Sequence, residues 1–90
     1  MITVYSKDGC GYCTLAKDYL TKNNFEFEEI RIDLDKEKRD WIVEQGHRTV
    51  PQIYYKGKLL VEGGGMALSK MDPSAVKENM EKIDVISTTV

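Results

Sequence analysis

Cysteine is scarce in this chain: Cys10 and Cys13 are the only two among 90 residues. A secreted domain of this size held together by disulfides usually carries four or more. A bridge between positions three apart closes a very small loop and restrains the unfolded chain little. The pair is therefore expected to serve chemistry rather than stability. Blocks of like charge are missing as well, and the net charge is only −2. A nucleic-acid groove or a polybasic membrane contact would need the opposite. No apolar run is long enough to span a bilayer, and the opening MITVYSKDG has neither the basic nor the apolar part of a signal peptide. The expectation is a cytoplasmic protein with no nucleic-acid or membrane partner.

What is present is the composition of an ordinary globular chain, 41% hydrophobic and 31% charged, and its length suits one domain spanning residues 1–90. Ile2 to Ser6 are β-prone on both faces, as in a central strand covered on both sides. Asp8-Gly9 ends that strand. From Gly11 onward Tyr12, Leu15, Ala16, Tyr19 and Leu20 recur at helical spacing, and Asn23-Asn24 stops them. A second strand lies within Phe25 to Ile32, its strand proper starting near Phe27. Asp33 or Asp35 can cap a second helix that stops at Gly46. Gln52 to Lys56 and Lys58 to Val61 read as a hairpin turning at Gly57. A short helical stretch from Met66 to Met71 follows, and Asp72-Pro73 opens a fresh helix with Val76, Met80 and Ile83 on one face. The tail from Ser87 to Val90 is expected to fray. The order βαβαββα predicts an α/β sandwich: a right-handed parallel crossover, then an antiparallel hairpin joined to the same sheet.

Two cysteines three apart, between a strand and a helix, place the first sulfur at a helix N-terminus. Unpaired backbone N–H groups and the positive end of the dipole favour a thiolate there. A thiol with a pKa near 8.5 is only slightly ionised at pH 7, but at such sites the value falls to about 3.5–7.5. Cys10 is thus the candidate nucleophile and Cys13, one turn inside, the candidate resolving thiol. Lys7 adds a cation on the approach, although a solvated loop lysine would look the same. A zinc site is poorly supplied, since His47 is the only histidine available to join the two sulfurs; no metal is expected.

K-x-x-C-x-Y-C from Lys7 to Cys13, T-V-P from Thr49 to Pro51 and Gly63-Gly64 before the last helix together resemble the glutaredoxins, from Ile2 to about Leu68. The resemblance implies a thioredoxin-like sandwich with a four-stranded mixed sheet, acting as a monomeric thiol–disulfide oxidoreductase with glutathione as reducing co-substrate. Its partners would be disulfide-containing or glutathionylated proteins, ribonucleotide reductase among them. It also implies a cis peptide bond before Pro51, which would face the cysteines, and a glutathione site lined by Lys7, Tyr12, Thr49, Val50 and Gly64. Tyr12 equally suits helix packing, and a proline opening a strand is unremarkable by itself.

Three positions depart from the pattern. Gly11 follows the nucleophile where many relatives have proline. His47 stands where a glutamine often contacts the glycyl carboxylate, so that anion binding would strengthen from about pH 8 to pH 6 as an imidazolium forms. Met66 and Ala67 follow the glycines where many relatives carry an aspartate. Two other readings stay open. One is a glutaredoxin-like electron donor served by thioredoxin reductase, although the W-S-G-F segment of such donors is absent. The other is a dimer bridging a [2Fe–2S] cluster, which Gly11 would permit by freeing the first helical turn.

Overall fold

The computed structural model describes residues 1–88, with side chains through residue 86. Alternation in the first strand, β1 (Ile2–Ser6), sets the whole architecture. Ile2 and Val4 are fully buried on one face, where they meet Ala16 and Leu20 of helix α1 (Gly11–Lys22). Tyr5 points to the other face and packs with Ile42 of helix α2 (Lys36–Glu44). With helices on both sides, both faces of β1 are covered, and its one buried polar side chain, Ser6, is satisfied by a hydrogen bond to the Glu29 carboxylate. The next strand, β2 (Phe27–Arg31), pairs parallel to β1 with Ile2 opposite Phe27. Strand β3 (Gln52–Tyr55) pairs antiparallel to β1, and β4 (Lys58–Val61) antiparallel to β3. The order β2-β1-β3-β4 is the four-stranded mixed sheet of a thioredoxin-like fold.

Local chemistry decides between the alternatives left by the sequence. Asp35, not Asp33, caps α2: its carboxylate accepts the Lys38 N–H at 3.1 Å. Asp33 is occupied instead by a two-pronged contact with the Arg31 guanidinium, at 2.8 and 2.6 Å. At the other end of α2, Gly46 takes a left-handed φ of 89°. Its N–H bonds to the Val43 carbonyl, and the His47 N–H to the Ile42 carbonyl. These two bonds form a Schellman closure, which turns the chain back toward β3 and fixes where His47 emerges. The hairpin turns on Lys56 and Gly57, both at positive φ, the backbone a two-residue hairpin turn needs.

Both helical stretches expected in the C-terminal third are present, α3 (Gly64–Ser69) and α4 (Pro73–Thr88), although the order βαβαββα counted only the second. Helix α3 starts two residues before Met66, because Gly63 supplies a left-handed N-cap and Gly64 and Gly65 enter a space with no room for side chains. Asp72 opens α4 as expected, its carboxylate accepting the Ser74 N–H at 2.9 Å. Leu68 of α3 and Val76 and Ile83 of α4 complete the core on the α1 side of the sheet. Ser87 and Thr88, in the tail expected to fray, belong to α4; residues 89–90 lie outside the described residues. Among the described residues, no helix is long and apolar enough to cross a membrane.

Candidate functional site

The site begins where β1 runs into α1. Gly9, with a φ of 70°, turns the chain, and Cys10 follows in extended conformation as the N-cap of α1. Its sulfur occupies the place of a capping oxygen, accepting the Cys13 N–H at 3.2 Å. No acidic residue stands in the first turn of α1 to oppose the dipole. A negative charge on this sulfur would therefore meet a donor and the positive end of a helix. Cys13 is one turn inside and only 2% exposed, whereas Cys10 is half-buried. The two sulfurs form a disulfide, with Cα atoms 5.2 Å apart.

The loop leading into β3 closes over this pair. The Val50–Pro51 peptide bond is cis, and the Val50 carbonyl oxygen lies 3.7 Å from the Cys10 sulfur. Gln52, 7% exposed, donates its amide N–H to the Thr49 carbonyl at 2.9 Å and braces the loop from beneath. Helix α3 comes in from the other side. A Cβ on Gly64 would sit 2.8 Å from the Pro51 carbonyl oxygen, and one on Gly65 would run into the Tyr12 carbonyl. Only glycine lets α3 lie this close to both α1 and the proline loop.

Three hollows lie at the cysteines and at the Val50 loop that meets them. The first, about 330 Å³, is bounded by Tyr12, Thr49, Val50, Pro51, Gly64 and Met66. The second, about 210 Å³, lies across Val50 and is bounded by Lys7, Arg39, His47, Arg48 and Thr49 among others. A third, about 350 Å³, has both sulfur-bearing residues in its wall together with Lys17, Glu29 and Arg31. Lys17 reaches Glu29 at 2.9 Å. The Ser6 hydroxyl, followed by Lys17, holds the Glu29 carboxyl below its ordinary pKa.

Every residue singled out in the sequence thus falls on one wall or another: Tyr12, Thr49, Val50, Pro51 and Gly64 on the first hollow, Lys7 and His47 on the second. His47 is also held from behind, its Nε2 lying 2.7 Å from the Tyr54 hydroxyl with the rings edge to face. Burial raises the Tyr54 pKa, so that hydroxyl keeps its proton. Sequence reasoning missed Arg39, Arg48, Gln52 and the Ser6–Glu29–Lys17 cluster. Arg48 adjoins T-V-P and could have been suspected. Arg39 could not, because only the packing of α2 brings it to the cleft. Cys10 and Cys13 are the chain's only thiols. Among the described residues no group of three or more His, Cys, Asp or Glu could hold a metal ion.

The glutaredoxin family model matches residues 2–60. The glutaredoxin-like protein NrdH of Lactococcus lactis is 40% identical over 53 residues, covering 59% of this chain and 74% of that protein. Glutaredoxin 3 of Escherichia coli is 37% identical over 54 residues, covering 59% of this chain and 65% of that protein. Among solved structures, a wheat glutaredoxin superposes with a TM-score of 0.67 at 29% identity, covering 86% of this chain and 79% of the other. The matched segment contains the capping sulfur, the buried partner thiol and the cis-proline loop that meets them. This chain accordingly belongs to the glutaredoxin family of thiol–disulfide oxidoreductases of thioredoxin-like fold, and its two cysteines, Cys10 and Cys13, are joined in a disulfide.

Proposed function

We propose that the chain reduces protein disulfides and glutathionylated proteins, with Cys10 as nucleophile, Cys13 as resolving thiol and glutathione as the reductant. The observation that carries this reading is the inequality of the two sulfurs: Cys10 is accessible and caps α1, while Cys13 is 2% exposed. The Cys10 thiolate attacks one sulfur of a substrate disulfide, and the other leaves as a thiolate. Cys13 then gives up its proton and attacks Cys10, forming the Cys10–Cys13 disulfide and releasing the second substrate thiol. Two glutathiones restore the dithiol and leave as glutathione disulfide. The glutathionyl backbone would lie along Val50, with Tyr12, Thr49, Pro51 and Gly64 on one side and Lys7 and His47 near a carboxylate on the other. Such a cycle needs a reducing compartment, which agrees with a cytoplasmic site of action. A cluster would need thiolates from outside the chain, and the proposal does not extend to it.

A second reading, in which thioredoxin reductase supplies the electrons, has one observation in its favour. The wall of the first hollow carries Met66 and no charged side chain to hold the γ-glutamyl end of glutathione. The match to a glutaredoxin-like NrdH suits this reading, with ribonucleotide reductase as a candidate partner. Following NADPH consumption in two coupled assays decides between them. Turnover with glutathione and its reductase supports the first. Turnover only with thioredoxin reductase replaces it with the second.

A further inference from the structure

Two hollows meet at Val50, whose carbonyl oxygen lies 3.7 Å from the Cys10 sulfur, and they differ sharply in charge; we infer that the chain selects cysteines in protein segments with an acidic residue on one flank and an apolar residue on the other. The inference rests on the proposed role of Cys10 and refines the substrate it takes. On one side of Val50 stand Lys7, Arg39 and Arg48, and no carboxylate lines that hollow. None of these three cations has an acidic partner within 4.0 Å among the described residues. The neighbouring acids are otherwise placed. Asp33 is held by Arg31, and Asp8, its side chain 89% exposed, lies 4.0 Å from the same guanidinium.

The opposite hollow has no ionisable side chain in its wall except the Tyr12 phenol. Tyr12 is 51% exposed and Met66 46%, an apolar ledge beside the redox pair. Methionine is flexible and polarisable, and accommodates apolar groups of varied shape. Free glutathione is charged at both ends. One end would meet the cations, while the other would bring an ammonium and a carboxylate beside Met66 and Tyr12, in a wall that carries no oppositely charged side chain. A protein segment with one acidic and one apolar flank satisfies both halves, and the cations would speed its approach.

The test uses capped tripeptides joined through cysteine to nitrothiobenzoate: Glu-Cys-Leu, Leu-Cys-Glu, Glu-Cys-Glu and Leu-Cys-Leu. The Cys10 thiolate attacks the peptide sulfur, and nitrothiobenzoate leaves as a coloured thiolate. Cys13 then loses its proton to buffer and displaces the peptide thiolate, so two enzyme thiols are oxidised as one substrate disulfide is reduced. With the protein reduced to the dithiol beforehand, one of the two mixed peptides should release colour in this single turnover with a second-order rate constant about tenfold larger than its reverse, ~1.4 kcal/mol of discrimination. Added salt should narrow its lead over Leu-Cys-Leu. Met66→Asp should abolish the preference, whereas Met66→Leu should keep it. Equal rates for both mixed peptides with the parent protein, or a preference unchanged in Met66→Asp, would overturn the inference while leaving the disulfide chemistry intact. Colour release by Cys10→Ser at the parent rate would instead remove the reading beneath it.

Discussion

At the scale of single residues, two identical thiols three positions apart differ because one ends a loop and the other begins a packed turn. Cys10 caps α1 and meets solvent, while Cys13 is buried against the core. Cys10→Ser should therefore abolish reduction of both protein disulfides and glutathionylated peptides. Cys13→Ser should lose the first activity and keep the second, because glutathione can replace the resolving sulfur. Parallel assays of the two variants on both substrates check this, and equal loss of deglutathionylation in both would reverse the assignment. The spacing in the sequence already ranked the two thiols. It could not show the Val50 carbonyl beside the first of them, because a contact across 40 positions depends on how β3 joins the sheet.

The elements around the site are fixed by caps and by close approach. Asp35 holds the start of α2, so Asp35→Ala should cost about 1 kcal/mol in urea unfolding. Gly65→Ala should cost more, about 1–3 kcal/mol, since its Cβ would meet the Tyr12 carbonyl and Pro51 ring. It should also disturb the groove, so activity should fall along with stability; a variant as stable as the parent would mean that α3 can shift at little cost. Helix α1 was legible from its apolar spacing. The early start of α3 was not, because Gly63, Gly64 and Gly65 have no periodic signal and fold as they do only against Pro51 and Tyr12.

Across the whole molecule, carboxylates held in ion pairs and caps tie stability to pH. Arg31 holds the Asp33 carboxyl down to about 2, and Glu29, Asp72 and Asp84 are also depressed by hydrogen-bonding partners. An acid whose folded pKa lies below its unfolded value of about 4 stabilises the fold above that value, and the contribution is lost as pH falls through the folded one. The midpoint of thermal unfolding should therefore decline between about pH 4 and pH 2, and Asp33→Asn should flatten that decline. Trp41, stacked on Tyr5 and edge-on to Tyr54, provides the fluorescence signal. In the core, Leu20→Ala should cost about 2–5 kcal/mol, because a fully buried side chain leaves a cavity its neighbours fill only in part.

The sequence by itself determined the chemistry and the strand–helix frame. Cys-x-x-Cys after a strand, apolar residues at helical spacing and caps such as Asp72 act over a few positions, and their physics is local. The identity of Pro51 as a partner of the cysteines was implied by the T-V-P resemblance alone. The cap of α2 is a local choice too, Asp35 over Asp33 because Arg31 claims the other carboxylate two positions away, but only the tertiary structure showed which contact wins. It alone placed Arg39 of α2 beside Lys7 and Arg48, and Met66 of α3 beside Tyr12. Those residues come from separate elements, and their positions follow from how each helix packs on the sheet. The charge of the cleft is thus a sum over distant parts of the chain, and only their folding together sets it.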